Sequence, residues 1–457
     1  MTKDMTAGSP TRLILMFSLP LLLGNLFQHF YTMADAMIVG RMLGMDALAA
    51  VGSTGSMSFL ALGFIMGITG GSSVVIAQRF GAGNLGGVRR AVAMSIYVGV
   101  AVTVFLTAVC MLAAGPILRL MNAPKEVFDT AYRYIQIIYA GVIATCFYNL
   151  LASILRALGD SRTPLYFLIV SSVLNIVLDV AFIEFGWGVE GTALATVLSQ
   201  AVSGLFCLLY MAKKFPFLKL QKEDWAPEWG ILRSTFKIGI PMALQFWIIT
   251  VGIMILQGAV NAFGAKTIAA YTAASKVEQF ACQPMVTLGM AMATYTGQNI
   301  GAGRVDRVRS GMRKSILLSV AFCIVSGVLV ILSGGFLVGL FLKEYDAEAI
   351  AIGRQYLNTL SVFFCALGLL YLYRNTLQGL GEGLMPMLAG LSETIVRIFM
   401  AFVVAKRLGF LAICLASPIS WIISTIPLAV AYYYLIKKAA RFQKAGDALE
   451  QEDACGN

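Results

Sequence analysis

The sequence contains few charged residues and almost no histidine. Asp, Glu, Lys and Arg together make up 12% of the 457 residues, and His29 is the one histidine. Enzymes that use acid–base or metal chemistry need clustered ligands, or a nucleophile beside a base, and the sequence offers no such cluster. The eight cysteines are scattered singly, without CxxC spacing. These absences speak against a membrane transferase or another enzyme, and no cofactor is expected.

Apolar residues take the place of the missing charge. They account for 59% of the chain, and the mean hydropathy is +0.81. So few polar residues cannot cover a globular surface, so lipid must be the solvent. Long continuous apolar runs indicate helices rather than the short alternating strands of a membrane barrel. Breaks at charged or Gly/Pro-rich positions give twelve predicted spans: 13–38, 50–77, 92–115, 131–154, 165–185, 191–212, 232–260, 270–297, 315–340, 353–377, 386–405 and 410–436.

The two halves of the chain resemble each other. Residues 78–83 (QRFGAG) return as 298–303 (QNIGAG), an offset of 298 − 78 = 220 positions, and residues 12–20 match 233–241. No strand precedes the repeated Gly-Ala-Gly, so the motif predicts a tight helical turn rather than a phosphate-binding loop. Pro20 and Pro241 lie at matching positions of the first helix in each half and predict a kink there.

This repeat predicts the architecture. Each half contains six spans, an even number, so both halves begin on the same side of the membrane as parallel repeats. We predict an all-α integral membrane protein with twelve transmembrane helices in two pseudo-symmetric six-helix lobes. The predicted divisions are an N-lobe (1–212), a cytoplasmic linker (213–231), a C-lobe (232–440) and a cytoplasmic tail (441–457).

Basic residues concentrate in alternate loops, including the central linker and the tail. By the positive-inside rule, both termini and the linker are cytoplasmic in a multi-pass protein of the cell membrane. The net charge of +11 follows from this topology, and short basic loops broken by glycine are poor surfaces for nucleic acid. We expect the lipid bilayer as a partner, no nucleic acid, and a protein that acts as a monomer.

Acidic residues deep in apolar segments are the strongest functional signal. Asp35 and Asp179 lie in the first and fifth predicted spans, and the matching positions of the second half are apolar. A carboxylate in the bilayer costs a few kcal/mol or more and indicates function by default. Helical spacing extends each acid into a polar face, although such groups could also serve only to hold helices together. These faces comprise Asn25, Gln28 and Thr32 with Asp35; Asn175 with Asp179; and, in the sixth span, Thr192, Thr196, Ser199 and Ser203.

The second half carries a different set of charges. Glu393 and Arg397 lie four residues apart with the acid first, a spacing typical of a structural helical ion pair. Arg374 lies near the cytoplasmic end of the tenth span, where we expect its side chain to snorkel toward water. Glu278 could either pair with Lys276 or face a cavity.

Several of these segments together resemble the multidrug and toxic compound extrusion family, in particular its bacterial cation-coupled exporters. The likeness covers almost the whole chain and includes residues 35–40 (DAMIVG), 78–83 and 156–164, and Asn175 with Asp179. The resemblance implies a site for H⁺ or Na⁺ formed by Asp35, Asn175, Asp179 and Thr196, with Thr192 as the alternative threonine. It also implies a bend at Pro20. The seventh span lacks the acidic residue that some relatives carry, which speaks against a cation site in the C-lobe.

We therefore predict an antiporter that exports small organic cations or drugs in exchange for H⁺ or Na⁺. Flexible Met and aromatic side chains suit promiscuous recognition, and the candidate substrate contacts are Gln28, Tyr31, Met33, Gln257 and Met285. The alternative within the same superfamily is a flippase for lipid-linked oligosaccharides. Such a flippase needs several basic residues to hold a pyrophosphate, whereas the N-lobe spans carry carboxylates.

Overall fold

The structure, a computed structural model, describes residues 4–121, 125–342 and 346–455. These residues fold into helices and contain no strand. The helices are α1 (Pro10–Met42), α2 (Met45–Gly81), α3 (Leu85–Leu120), α4 (Lys125–Ala140), α5 (Val142–Ala157), α6 (Arg162–Glu184), α7 (Gly188–Lys214), α8 (Trp229–Val260), α9 (Ala265–Gly301), α10 (Val305–Phe341), α11 (Ala347–Val362), α12 (Phe364–Gly379), α13 (Leu384–Phe399), α14 (Ala405–Leu408) and α15 (Phe410–Cys455). A π-helical turn, Met400–Val404, joins α13 to α14.

Most of these helices are long and apolar enough to cross a membrane. Nine pass on their own within the described ranges, and the pairs α4–α5 and α11–α12 each pass as one bent span. Helix α9 holds the eighth predicted span and is 37 residues long, but it is more polar than the nine helices that pass on their own. The prediction of an all-α, multi-span membrane protein is confirmed.

Two spans bend sharply at matching places in the two halves. Helices α4 and α5 meet at 45° around Gly141, and α11 and α12 meet at 54° around Phe363. A Cβ atom on Gly141 would lie 2.1 Å from Val197 Cγ2, so the glycine makes room for α7 at this bend. Helices α1 and α8 run unbroken through Pro20 and Pro241, and the kinks expected at these prolines stay a prediction.

The repeated Gly-Ala-Gly motif ends a helix in both halves. After α2, Gly83 adopts φ +69°, and the N–H of Asn84 donates to the carbonyl of Arg79 at 3.1 Å. After α9, Gly303 adopts φ +68°, and the N–H of Arg304 donates to the carbonyl of Asn299 at 2.8 Å. Glycine in this left-handed conformation is a common helix terminator. The predicted helical turn is confirmed in both copies.

The chain forms two compact units whose borders lie inside helices. Unit 1 comprises Pro20–Ala243, and unit 2 comprises Asp4–Leu19 together with Leu244–Asn457. Helix α1 therefore passes from unit 2 into unit 1 at Pro20, and α8 passes from unit 1 into unit 2 after Ala243. The lobe borders drawn from the sequence stay a prediction, and residues 1–3, 122–124, 343–345, 456 and 457 of those ranges lie outside the described residues.

Small residues bring α8 against α2 within unit 1. A Cβ atom on Gly67 would lie 2.3 Å from the Cα atom of Ala243, and one on Gly71 would lie 2.5 Å from the Cα atom of Gly239. Inside a membrane the hydrophobic effect does not drive helices together, because lipid tails are as apolar as the side chains. Helices therefore associate through close van der Waals packing, which small residues allow. This contact holds the beginning of α8 in unit 1.

Candidate cation-binding site

Two acidic side chains from different helices meet inside unit 1. Asp179 of α6 is fully buried and Asp35 of α1 is partly buried. Their carboxyl groups lie within hydrogen-bonding reach of each other. Neither has an ion-pair partner among the described residues, and Oδ1 of each is buried without a hydrogen-bond donor there. The pair therefore lacks a positive charge and has free oxygens.

Asn175 connects this pair to two other helices. It lies one turn before Asp179 on α6 and is fully buried. In the amide orientation that satisfies both of its ends, Nδ2 donates to Asp179 Oδ2 at 3.0 Å and to the Tyr31 hydroxyl at 3.1 Å. The amide oxygen accepts from the backbone N–H of Thr196 on α7 at 3.1 Å. Helices α1, α6 and α7 thus converge on one amide.

The chemistry of this group suits a small monovalent cation. A hydrogen bond between two carboxyl groups requires a proton on one of them, and two bare carboxylates this close in a buried site repel each other strongly. A proton or an Na⁺ ion would relieve that repulsion, and carboxylate, amide and hydroxyl oxygens are hard donors suited to either. No group of three or more His, Cys, Asp or Glu side chains gathers as metal ligands within the described part of the chain.

The structure brings together all four residues that the resemblance implied for the cation site. Asp179 lies in direct reach of both Asp35 and Asn175, and Thr196 flanks the amide of Asn175. Thr192, the alternative threonine, is buried with its hydroxyl donating to the Val189 carbonyl at 2.9 Å. The geometry thus favours Thr196 over Thr192, and the binding role of the group stays a prediction.

Two members of the polar face predicted on the first helix are exposed. Gln28 and Thr32 are exposed, and the Thr32 hydroxyl donates to the carbonyl of Gln28 at 2.9 Å. Tyr31, one of the candidate substrate contacts, points its hydroxyl at Asn175 and Thr196, and its role in substrate binding stays a prediction. Tyr31 lies one turn before Asp35, so helical spacing places it near the face of that acid, whereas its contact with Asn175 depends on how α1 packs against α6.

Tyr134 of α4 is a residue that sequence reasoning missed. It is 8% exposed and lies close enough to Asp35, Tyr31 and Asp179 to interact with them electrostatically. It also packs in a small apolar cluster; that cluster consists of Val39, Ala47, Tyr134, Val189 and Ala193. Nothing in its sequence neighbourhood distinguishes it from other span tyrosines.

An acidic cavity of about 310 Å³ adjoins this apolar cluster. Ala47 and Val189 belong to both the cluster and the cavity wall. The charged residues of the wall are Asp46, Glu126, Glu190 and Arg133. Arg133 pairs with Glu190 at 3.2 Å, so two carboxylates remain in excess, and the cavity favours positive ions near the carboxyl pair.

The remaining candidate substrate contacts lie in both units. In unit 1, Met33 is 37% exposed. In unit 2, Gln257 is half-buried, whereas Met285 is 1% exposed. A ligand could reach Met285 only after its neighbours repack, and the roles of all these residues in substrate binding stay a prediction.

Unit 2 contains a buried charged network instead of an acidic pair. Glu393 is 2% exposed and accepts from Arg374 of α12 and, at 3.5 Å, from Arg397. The helical ion pair of Glu393 and Arg397 is confirmed. The snorkelling expected for Arg374 is wrong, because its side chain is 5% exposed and turns inward to a carboxylate. Glu278 accepts from the Tyr356 hydroxyl at 2.8 Å rather than pairing with Lys276.

Curated relatives cover nearly the whole chain. Probable multidrug resistance protein YoeA of Bacillus subtilis is 30% identical, with 96% of each chain covered. Probable multidrug resistance protein YpnP of the same organism is 29% identical over 94% of this chain and 96% of its own. Probable multidrug resistance protein NorM of Thermotoga maritima is 27% identical over 87% of each.

Solved structures match the fold over nearly the same extent. A MOP superfamily transporter from Pyrococcus furiosus superposes with a TM-score of 0.89 at 25% identity, over 96% of this chain and 98% of its own. A crystal structure of MATE in the bent conformation superposes with a TM-score of 0.88 at 25% identity and the same coverage.

The family profile agrees with the internal repeat. The MatE profile matches this chain twice, at residues 20–181 and 241–403. The two matches begin 241 − 20 = 221 positions apart, at Pro20 and Pro241, close to the repeat offset in the sequence. They cover most of the chain. The chain therefore belongs to the MatE family, whose members are secondary transporters and not enzymes.

Proposed function

We propose that this protein is a cation-coupled antiporter of the cell membrane that exports small organic cations or drugs. The observation that carries the proposal is the buried pair of Asp35 and Asp179, which has two free oxygens and no ion-pair partner among the described residues. An intramembrane carboxylate without a counter-ion is a functional feature. The relatives named multidrug resistance proteins support a drug substrate.

The coupling ion is H⁺ or Na⁺, bound by Asp35 and Asp179 with neutral oxygens from Thr196 and Tyr31. Asn175 contributes to the site by holding Asp179 and Tyr31 through its amide N–H groups. Binding of one cation removes the repulsion between the carboxyl groups and draws α1 toward α6. That change favours one conformation of unit 1 over another. If the exported compound prefers the cation-free conformation, cation binding weakens its affinity, and the compound weakens cation binding by the same factor.

The acidic cavity supports a direction for this cycle. With both termini in the cytoplasm, as the positive-inside rule predicts, the loops that flank this cavity face outward. External cations would collect at its two excess carboxylates and pass the Tyr134 cluster to the carboxyl pair. Inward movement of the cation would then drive outward movement of the drug by alternating access of a monomer.

Transport in proteoliposomes tests this proposal. A fluorescent organic cation would be loaded into vesicles that contain the purified protein, and a pH gradient or an Na⁺ gradient would be imposed separately. We expect one of the two gradients to drive movement of the dye and the other to have little effect. Failure of both gradients with every cation tested, in protein that remains folded, would contradict the antiporter.

The flippase is the second candidate, because Arg374 and Arg397 are basic and buried in unit 2. Both arginines pair with Glu393, which neutralises part of their positive charge. The charge that remains is less than a pyrophosphate requires. A lipid-scrambling assay on the same vesicles separates the two functions. Scrambling of a labelled lipid-linked sugar without gradient-driven transport would favour the flippase.

A further inference from the structure

Two arginines of unit 2 share a single carboxylate inside the membrane-spanning region. Arg374 of α12 is 5% exposed, Arg397 of α13 is 4% exposed and Glu393 between them is 2% exposed. Arg374 Nη2 donates to Glu393 Oε1, and Arg397 Nη2 donates to Glu393 Oε2 at 3.5 Å. Each carboxylate oxygen of Glu393 therefore already accepts a hydrogen bond from a different guanidinium group.

The arginines retain donors that nothing accepts. A guanidinium group carries five N–H donors. Arg374 Nε and both Nε and Nη1 of Arg397 are buried and have no acceptor among the described residues. A charged donor in the bilayer needs an acceptor, because no water is available there to replace it. Three unpaired nitrogens on two adjacent cations thus indicate a missing partner of negative charge.

The nearby carboxyl group of Glu278 does not supply that partner. Glu278 of α9 interacts electrostatically with Arg397 but makes no ion pair with it; its Oε2 instead accepts from the Tyr356 hydroxyl at 2.8 Å. The centroid of the Tyr371 ring lies 5.9 Å from the guanidinium carbon of Arg374, and this side chain carries no negative charge at neutral pH. The free nitrogens of Arg397 therefore remain available to a ligand.

We propose that unit 2 contains an anion-binding site at Arg397 and Arg374, which takes a monovalent anion such as a carboxylate group. The planar fork of a guanidinium group matches a carboxylate in shape and pairs with it through two hydrogen bonds. Glu393 acts as the internal competitor for the same donors. This site is separate from the cation site in unit 1 and gives the transporter a means to hold a zwitterionic compound or a small free anion.

Melting of the purified full-length protein in detergent tests the site. Sodium benzoate and sodium chloride would be titrated separately at constant ionic strength, since a ligand that binds the folded state raises its melting temperature in a saturable way. We expect a saturable rise for wild type and its loss in Arg397→Lys, which keeps the charge but loses the fork. Arg354→Lys, an exposed arginine of α11, is the matched control and should behave like wild type.

Glu393→Gln gives the sharpest result, because it removes the competing negative charge while it keeps the size of the side chain. We expect this variant to bind the anion about tenfold more tightly than wild type. A shift with benzoate alone would identify a carboxylate of an organic compound as the ligand, and saturable shifts with both salts would identify a small free anion.

The proposal is overturned if neither salt gives a saturable shift in wild type and Glu393→Gln, or if Arg397→Lys retains the wild-type shift. Should Arg397→Lys fail to fold, the comparison of Glu393→Gln with wild type decides alone. Equal or weaker anion affinity in Glu393→Gln would then refute the site.

Discussion

The carboxyl group of Asp35 lies within hydrogen-bonding reach of that of Asp179, although 179 − 35 = 144 positions separate them in the chain. Helix α1 supplies one acid and α6 the other, so their distance depends on how these two helices pack. Any ligand that neutralises the pair changes the force between the helices. The relationship therefore couples the charge of the site to the conformation of unit 1.

Replacement of Asp179 by asparagine should abolish gradient-driven transport. Asp179→Asn keeps the size of the side chain and removes the charge that repels Asp35, so the protein should remain folded with an equal or higher melting temperature. Dye transport in proteoliposomes should fall to the level of protein-free vesicles. Glu184→Gln, an exposed acid at the end of the same helix, should transport normally; wild-type transport by Asp179→Asn would exclude its assigned role.

Replacement of Tyr31 by phenylalanine should weaken cation binding without abolishing transport. The Tyr31 hydroxyl accepts from Asn175 at 3.1 Å, and the loss of one such hydrogen bond costs about 1 kcal/mol. The cation concentration that gives half-maximal drug release should rise about fivefold. Tyr166→Phe, whose ring is 58% exposed on α6, is the control. An unchanged half-maximal concentration in Tyr31→Phe would remove this residue from the site.

Much of the fold and of the acidic site follows from the sequence because lipid imposes strong rules. Long apolar runs must be helices, and Asp35 and Asp179 stand out because charge is rare inside them. Helical spacing, however, places both Tyr31 and Thr32 near the face of Asp35, three or four residues away. The contact with Asn175 on another helix selects Tyr31, and that information lies outside any single span.

The buried network of unit 2 shows the same limit. The spacing of Glu393 and Arg397 predicts their ion pair, since both residues lie on one helix. Arg374 lies on α12, near a helix end where snorkelling is the usual behaviour. The Arg374 side chain points inward because Glu393 of α13 accepts a hydrogen bond from it. The position of this side chain therefore depends on the packing of two helices and cannot be read from one span.

The close contact of α2 with α8 should tolerate no side chain at Gly67. In Gly67→Ala the new Cβ atom would meet the backbone of Ala243 at 2.3 Å, and the required shift should lower stability by about 1–3 kcal/mol. The melting temperature of purified protein measures this loss. Gly55→Ala on the same helix has open space around its Cβ position and should be neutral. Equal melting temperatures for the two variants would show that α2 and α8 can separate enough for the added methyl group without a loss of stability.

The linker ahead of α8 should contribute stability that depends on pH. Asp224 lies in a short 3₁₀ turn, Lys222–Trp225. Burial raises the pKa of Asp224, but hydrogen bonds from the Gln221 backbone N–H and the Arg89 guanidinium group, each at 2.9 Å, outweigh it and leave the pKa below its ordinary value. A lowered pKa in the folded state stabilises the protein above the unfolded pKa of about 3.9, and this contribution is lost as the pH falls through the folded value.

Asp224→Asn should therefore melt at a lower temperature than wild type near neutral pH, and the difference should shrink below about pH 4. Glu223→Gln in the same turn, where the side chain is exposed, serves as the control and should match wild type throughout. A melting difference for Asp224→Asn that is the same at every pH would contradict the ionic explanation.

The borders between the two units lie inside α1 and α8. Each half of the duplicated sequence therefore contributes a piece of helix to the unit formed mainly by the other half. Residues 4–19 of the first half complete unit 2, and residues 229–243 of the second half complete unit 1. A single-copy ancestor with the same arrangement would have completed each unit by exchanging this piece with a second subunit, as in a domain-swapped dimer. Gene fusion would then have made the exchange permanent within one polypeptide.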